Sequence, residues 1–467
     1  MITFKTTRSS SSRAGRSRHG LPPAPPFPGP LQTLACYLRP LTYLTQCRSR
    51  LGDTFSIHPL DMPPLVFLCA PQDVRAMMSA SETVLHPGVG GSAIAPIVGE
   101  RSFMLREEDE HLRIRRTILP AFRKQIIEER AAATAGIVER EVASWPLDTP
   151  FALHPYLRSL TLRVILTTVF GDESPMLDAL HETLVSMLSA TASPLFQEPS
   201  LRAAPPWRGT WRRFLRRREE ADELFVAIIR QRQAHRGDRR DILGMLLAAP
   251  GLDGWATSVQ EVRDNLMSMI LAGHETTASE LAWAFQLIAH HPAVQRRLVA
   301  EIDGEDGEEY LMATVHEVLR HRPVFLFAIP RAVVQPIEIG GWTFTPPTQL
   351  LGCIYLLHHD PALYPDPDEF RPERFLGAVP QRSIWIPWGG GRKRCPGHRL
   401  AILELQTVLR AVLATRTVVP ASGQIERARW RSVIVTPHAG SRVLLRARPP
   451  KAVSQTDAAN SMPLAFR

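Results

Sequence analysis

Apolar residues recur at helical spacing over much of this 467-residue chain, and the pattern is densest between residues 107 and 291. There, 107–117 predicts an amphipathic helix, 193–211 is broken by prolines, and 212–235 predicts a strongly basic helix. Residues 260–290 are apolar nearly all round, which places a long helix in the interior. Further helices are predicted from Pro71 onward, over 309–321 with Pro323 as its stop, and over 396–414. Short apolar runs predict strands at 66–69, 324–328, 337–344, 433–436 and 442–445, while 351–357 fits either type. Gly88, Gly90, Gly91 and Gly99 loosen the stretch 86–99, and 359–387 is rich in turns. The pattern is that of a mainly α protein with a minor β part.

Composition adds a globular interior and an unusual start. With 44% hydrophobic and 22% charged residues the chain is globular in class, and its length makes two domains the default expectation. Residues 1–20 offer too little apolar surface to offset ordering entropy, 21–30 (LPPAPPFPGP) form a stiff lead-in, and the tail from Pro449 reads as unstructured. From Met1 to Gly52 there is no acid, but there are eight bases: Lys5, Arg8, Arg13, Arg16, Arg18, Arg39, Arg48 and Arg50. The rest holds 47 basic against 46 acidic residues, so the net charge of +9 belongs to an arm. No groove-reading motif accompanies it, which sets nucleic-acid binding aside.

No apolar run reaches the roughly 18 residues needed to span a bilayer, residues 266–289 being interrupted by His274-Glu275-Thr276-Thr277. The Ser/Arg-rich start lacks the apolar core of a secretory signal. An organellar transit peptide shares its composition, as does a plain extension. Cys36, Cys47, Cys69, Cys353 and Cys395 form no CxxC pair, which argues against a zinc site or a disulfide framework and fits a reducing cytoplasm.

Three segments carry candidate chemistry. The run Trp388-Gly389-Gly390-Gly391-Arg392-Lys393-Arg394-Cys395-Pro396-Gly397 precedes the last helix. Its glycines permit positive φ and close approach to a flat ligand. Cys395 is expected at the helix start, with Pro396 at the first position. Unpaired N–H groups and nearby cations there favour a thiolate. The segment reads either as a small residue capping a helix or as an activated sulfur, nucleophile or metal ligand. Ala272-Gly273-His274-Glu275-Thr276-Thr277 lies inside the predicted interior helix, where Gly costs about 1 kcal/mol and an unpartnered Glu costs more. A kinked core helix with Thr276 bonded to the preceding turn is one account; a functional site is the other. Glu317 and Arg320, and likewise His111 and Arg115, share helical faces, as solvated pairs commonly do.

Together these segments resemble the cytochrome P450 family. The cysteine run is similar to its haem-binding loop, FxxGxRxCxG: Gly391, Cys395 and Gly397 match, Trp388 stands where Phe is usual and Lys393 where Arg is usual. Lys393 keeps the charge but not the two-pronged grip on a carboxylate. Residues 272–277 match A-G-x-[DE]-T-[TS] at every specified position, and Phe370-Arg371-Pro372-Glu373-Arg374-Phe375 reproduces the segment FxPERF. The resemblance spans about residues 30–447 in family order and spacing. It implies a single-domain cytochrome P450 fold of the soluble bacterial type, replacing the two-domain default. Residues 1–30 would be a basic, Pro-rich arm, 31–448 the haem domain and 449–467 a tail.

The resemblance further implies haem b (iron protoporphyrin IX) with Cys395 on the iron and Trp388, Gly391, Gly397 and Ala401 against the ring. His111, Arg115, Arg331 and Lys393 would hold the propionates. Ala272 and Gly273 would line the distal side, the glycine leaving room for dioxygen, while Thr276 and Glu275 relay protons. Glu317, Arg320 and Arg374 would form a charged triad, structural and not catalytic, beneath the cysteine loop.

The implied reaction inserts one atom of O2 into a lipophilic small molecule, the thiolate favouring O–O cleavage. Nothing resembles a flavin, nicotinamide or iron–sulfur domain, so electrons would come from a ferredoxin and its reductase or similar donors, steered by Arg392, Arg394 and Arg399. The pocket would be formed by 86–104, 186–211 and 324–329, with Ile94, Ile97, Phe325 and Phe327 apolar in it. A cytoplasmic monomer is expected. The competing readings are a peroxide-using peroxygenase, a non-catalytic thiolate-haem gas sensor and a colourless cysteine hydrolase.

Overall fold

The computed structural model describes residues 18–59, 62–86, 94–106, 108–171, 174–193, 202, 204–235, 241–249, 257–304, 307–431 and 433–448. The arm up to residue 17, the tail from 449 and the pocket segments 87–93, 194–201 and 203 lie outside them.

Helix Val259–His290 is the axis of the molecule. Ser258 starts it by accepting a hydrogen bond from the Glu261 amide at 3.1 Å. Its first half (Val262, Leu266, Met267, Ile270) is buried with side chains from helices His154–Phe170, Pro175–Ser189 and Pro205–Ala234. Its second half (Ala278, Leu281, Trp283, Phe285) belongs to another core, shared with helices Glu309–His321 and His398–Thr415. One helix thus runs through both cores, and the chain forms one α-rich body. Between the cores its packing opens: Ala272 is exposed, while Leu271, Gly273 and Thr276 are half-buried.

The β part lies to one side. Its main sheet has five strands in the order Thr54–Ile57, Leu65–Leu68, Gln349–Gly352, Arg331–Val333, Leu85–His86, with only the second and third parallel. A three-stranded sheet joins Arg416–Pro420, Arg442–Ala447 and Phe151–Ala152. Ala428–Arg431 and Ile434–Pro437 form a separate hairpin that packs on the long helix.

Several expectations change. Residues 324–328 form no strand. Between Pro323 and Pro330 their backbone is shared among Val435, Tyr355 and Gly352, so no ladder develops. The predicted strand 337–344 is a hairpin, Ile337–Ile339 with Trp342–Phe344, turned at Gly340-Gly341. Residues 351–357 are both types, the end of a strand followed by helix Ile354–His358. The basic helix begins at Pro205, because Pro205 and Pro206 occupy its first turn, where proline is tolerated. Ordered contacts begin inside the expected arm: Arg18–His19 pairs with Trp342-Thr343, and the Pro23 carbonyl accepts from the Ser56 amide at 2.9 Å.

Four of the five cysteines, scattered in sequence, meet in space. Cys47, Cys69 and Cys353 are buried in one cluster and Cys36 packs against it. Burial pushes the Cys36 and Cys47 thiols up to about 12 and Cys69 well above its ordinary value, which makes them inert. Cys395 stands outside this group. Among the described residues, no helix is long and apolar enough to cross a membrane.

Candidate active site

Residues 388–395 form a closed loop, the Cys395 amide donating to the Trp388 carbonyl at 3.0 Å. Gly391 has φ +63°, and a Cβ there would fall 2.4 Å from the Met78 carbonyl oxygen on helix Pro71–Ser79. The glycine therefore serves a backbone-to-backbone approach. Trp388 packs at the edge of the core shared with the last helix, its ring tilted against His398 at 6.3 Å. That helix starts at His398 with Gly397 as its cap, later than expected, so Cys395 precedes it by a turn; Ala401 is half-buried in its first turn. Burial pushes the Cys395 thiol up, while the Gly397 amide and the Arg115 and Arg394 guanidinium groups pull it back.

Helix Glu108–Ile118 supplies basic groups beside this loop. Arg115 donates to the Arg394 carbonyl at 2.6 Å, and Lys393 reaches the Arg106 carbonyl at 3.2 Å. His111 is buried, stacked on Phe103, with Nδ1 3.0 Å from the Phe103 carbonyl. Its Nε2 has no hydrogen-bond partner among the described residues. Burial lowers the imidazole to about 4, with Lys393 and Arg115 adding to the effect against the Phe103 bond. Arg331 is buried too, and Glu82 is a common electrostatic neighbour of Arg331 and His111. Glu82 carries no motif and was not anticipated. Three cations and an orphaned imidazole nitrogen fit the two carboxylates of a haem, the group that the resemblance implies.

On the long helix, Thr276 Oγ1 donates to the Ala272 carbonyl at 2.6 Å. Ala272 lies on the same open side one turn earlier. At Gly273 a Cβ would meet Ile165 at 2.8 Å, so its missing side chain admits the close approach of helix His154–Phe170. Glu275 departs from the expected relay. Its carboxylate is buried between Arg158 (2.7 Å) and Arg431 (2.5 Å). Burial alone would raise it, but Arg158, His274 and Arg431 outweigh that and bring it to about 2. A group that far below neutrality is a poor proton carrier. His154 and His274, lowered mainly by burial to about 4 and about 3, are neutral neighbours.

Glu317, Arg320 and Arg374 come together. Arg320 grips both Glu317 oxygens at 2.7 and 2.8 Å, and Arg374 Nε lies 3.4 Å from the same carboxylate. Sequence reasoning placed this triad beneath the cysteine loop but missed His358, which connects Arg320 to the segment leading into that loop. His358 Nδ1 is 3.3 Å from the Arg320 carbonyl, and the Ile386 amide donates to its Nε2 at 2.9 Å. Trp385 adds a bond to the His316 carbonyl at 3.2 Å. Of the expected pocket residues, Ile97 is buried and Ile94 packs beside it, whereas Phe327 turns away to sit edge-on to Phe67. Phe325 packs in a separate apolar cluster near Met78.

Comparison with known proteins places this geometry. The family model described as Cytochrome P450 matches residues 20–444. A Mycobacterium tuberculosis protein assigned to cytochrome P450 135B1 is 34% identical over 456 residues, 95% of this chain and 96% of its own. Another, assigned to cytochrome P450 138, is 32% identical over 92% of this chain and 97% of its own. Among solved structures, retinoic acid-bound cyanobacterial CYP120A1 superposes with a TM-score of 0.77 at 22% identity, covering 92% of this chain and all of that one. The cytochrome P450DA heme domain does so with a TM-score of 0.78 at 21% identity, covering 93% and 99%.

Proposed function

The chain belongs to the cytochrome P450 family, which makes it a haem monooxygenase, and we propose that it holds haem b through the sulfur of Cys395. One observation carries this reading. Cys395 alone leaves the buried thiol cluster and stands half-buried beside Arg115, Arg394 and the Gly397 amide, and Arg115 is also an electrostatic neighbour of His111, whose Nε2 is unsatisfied among the described residues. The haem domain spans 31–448 in this reading, with 1–30 and 449–467 as extensions, and the protein works as a cytoplasmic monomer.

When bound, the haem supplies the activation of dioxygen, one atom passing to the substrate and the other leaving as water. This chain's residues do the rest. Cys395 would ligate the iron as thiolate, and His111, Arg115, Arg331 and Lys393 would hold the propionates. Thr276 holds and passes a proton at Oγ1 on the open side of the long helix. Glu275 keeps a fixed negative charge next to it, and the triad with His358 keeps the cysteine loop in place. The substrate is a lipophilic small molecule in this reading, with Ile94, half-buried at the edge of the apolar core, as the residue of the expected pair that keeps exposed surface. Electrons come from a separate donor such as a ferredoxin with its reductase, which meets the exposed Arg392 and Arg399 and the half-buried Arg394.

The test is spectroscopic. Purified protein should be red, and its reduced carbon monoxide complex should show the red-shifted band of thiolate ligation, abolished in Cys395→Ser. A colourless protein, or a band that survives the substitution, overturns the assignment. Reduction by an acidic ferredoxin should slow steeply with added salt; a salt-independent rate removes these arginines from the docking face.

A further inference from the structure

Glu275 and Glu280 are buried acids of the same helix in opposite states. Glu275 is a carboxylate fixed by Arg158 and Arg431 at 2.7 and 2.5 Å, with no proton to give. Glu280 is 3% exposed, in a stretch whose Leu281, Trp283 and Ala284 are core residues. Neither of its oxygens has a hydrogen-bond partner in good geometry among the described residues. Burial holds the group well above 4.5, so it keeps its proton, while the Val324 amide pulls the other way. An apolar side chain would pack there without that cost, and a polar group left unpartnered in a native core needs a reason.

The reason lies one turn away. Ala272, Thr276 and Glu280 stand four residues apart and form one ridge, which turns about 40° and rises about 6 Å at each step. Along it the surroundings close: Ala272 is exposed, Thr276 half-buried and Glu280 buried. Helical side chains lean toward the N-terminal end of their helix, so Glu280 covers the turn that carries Thr276. Thr276 Oγ1 donates to the Ala272 carbonyl at 2.6 Å, and among the described residues its lone pairs accept nothing. A donor without an acceptor therefore stands next on the ridge to an acceptor without a donor. Glu275, about 100° round the helix from Thr276, is turned to its arginines instead.

We propose that Glu280 is the proton donor behind Thr276. Its O–H bond breaks as one forms to Thr276 Oγ1, whose own proton leaves on the open side toward the dioxygen being reduced. The carboxylate left on Glu280 regains its proton from water. This rests on the monooxygenase reading, in which the released water takes up two protons per turnover, both from solvent. Glu280 touches no reacting atom and acts through the hydroxyl.

The test places full-length, haem-loaded protein on a rotating ring–disc electrode, which supplies the electrons and measures how much dioxygen ends as hydrogen peroxide and how much as water. Neither the natural donor nor a substrate is needed. Glu280→Gln keeps shape and neutrality but cannot release a proton, so its ratio of peroxide to water should rise about tenfold over the parent's. Glu280→Asp keeps an acid and should lie between the two. On a Thr276→Ala background, Glu280→Gln should add nothing, because the hydroxyl through which it acts is gone. Each variant should keep the carbon monoxide band of the parent. The proposal is overturned if Gln matches the parent, if Asp raises the ratio more than Gln does (the sign of a packing role), or if the Gln effect persists in full without Thr276. A parent without the carbon monoxide band fails the haem assignment itself, whereas a normal band with an unchanged ratio fails Glu280 alone.

Discussion

Glu275 and Thr276 are consecutive on the long helix yet meet different surroundings. Among the described residues Thr276 Oγ1 bonds only within its own turn, to the Ala272 carbonyl, on the side where the two cores part. The Glu275 carboxylate is locked between Arg158 and Arg431, which reach it from another helix and from the hairpin Ala428–Arg431. Successive helical residues diverge by about 100°, so a helix opened on one side presents its hydroxyl there and keeps its carboxylate packed. In the proposed reading, proton handling therefore falls to the hydroxyl and charge to the carboxylate.

The Thr276→Ala variant should leave folding and cofactor content intact, because no other element leans on that hydroxyl. Product formation should fall by roughly a hundredfold, the usual reach of one positioned acid–base group. The reducing equivalents should reappear as hydrogen peroxide. Product per electron consumed is the measurement, and an unchanged ratio removes Thr276 from proton delivery.

Arg431→Ala should destabilise the fold by about 3 kcal/mol at neutral pH, the low end for breaking a buried pair, since Arg431 retains some solvent contact. The pH dependence has a definite sign. Glu275 is held at about 2, below its ordinary 4.5, so its pairing stabilises fully above 4.5 and is lost as pH falls toward 2. The gap in melting temperature between parent and variant should narrow over that window. A gap independent of pH would mean that Arg431 acts through packing instead.

The spacing of the cysteine loop and both ends of helix Glu309–His321 were legible because each rests on local chemistry, whereas the starts of the basic helix and of the last helix were not. Pro323, two residues beyond His321, cannot continue a helix already under way, and the spacing from Gly391 through Cys395 to Gly397 is short-range information. The orientation of Glu275 was not legible. Its partners lie 117 and 156 residues away, and neither arginine carries a motif. His358 was invisible for the same reason, its value being that it touches Arg320 and Ile386 at once. Gly273 shows a different limit: the close packing of Ile165 from another helix against it is a long-range contact that its motif does not reveal.

Arg320→Lys should prevent accumulation of haem-loaded protein, whereas Arg374→Lys should be tolerated. Arg320 has no exposed side-chain surface and, besides Glu317, bonds the carbonyls of His358, Pro367 and Glu369 at 2.8, 2.9 and 3.2 Å. A lysine has three donors and no fork, so it leaves several of these buried acceptors unmet. Arg374 contributes a longer contact to Glu317 and bonds to the Pro365 and Asp366 carbonyls, and lysine keeps its charge there. The expected losses are about 3–5 kcal/mol for the first and about 1–2 kcal/mol for the second. Haem per polypeptide and melting temperature distinguish them, and equal effects would contradict this division of labour.

Glu280 offers a stabilising change. It is 3% exposed among Leu281, Trp283 and Ala284 in the core, and neither of its oxygens has a hydrogen bond in good geometry. Burial holds the carboxyl well above 4.5, with the Val324 amide pulling weakly the other way. The folded state then binds a proton that the unfolded chain releases. The neutral form's full contribution is present below 4.5 and declines as pH rises toward the folded value. Glu280→Gln keeps the shape, stays neutral and removes the titration, so it should raise the melting temperature at pH 8 more than at pH 5. A benefit equal at both values would show that the proton had not been the cost.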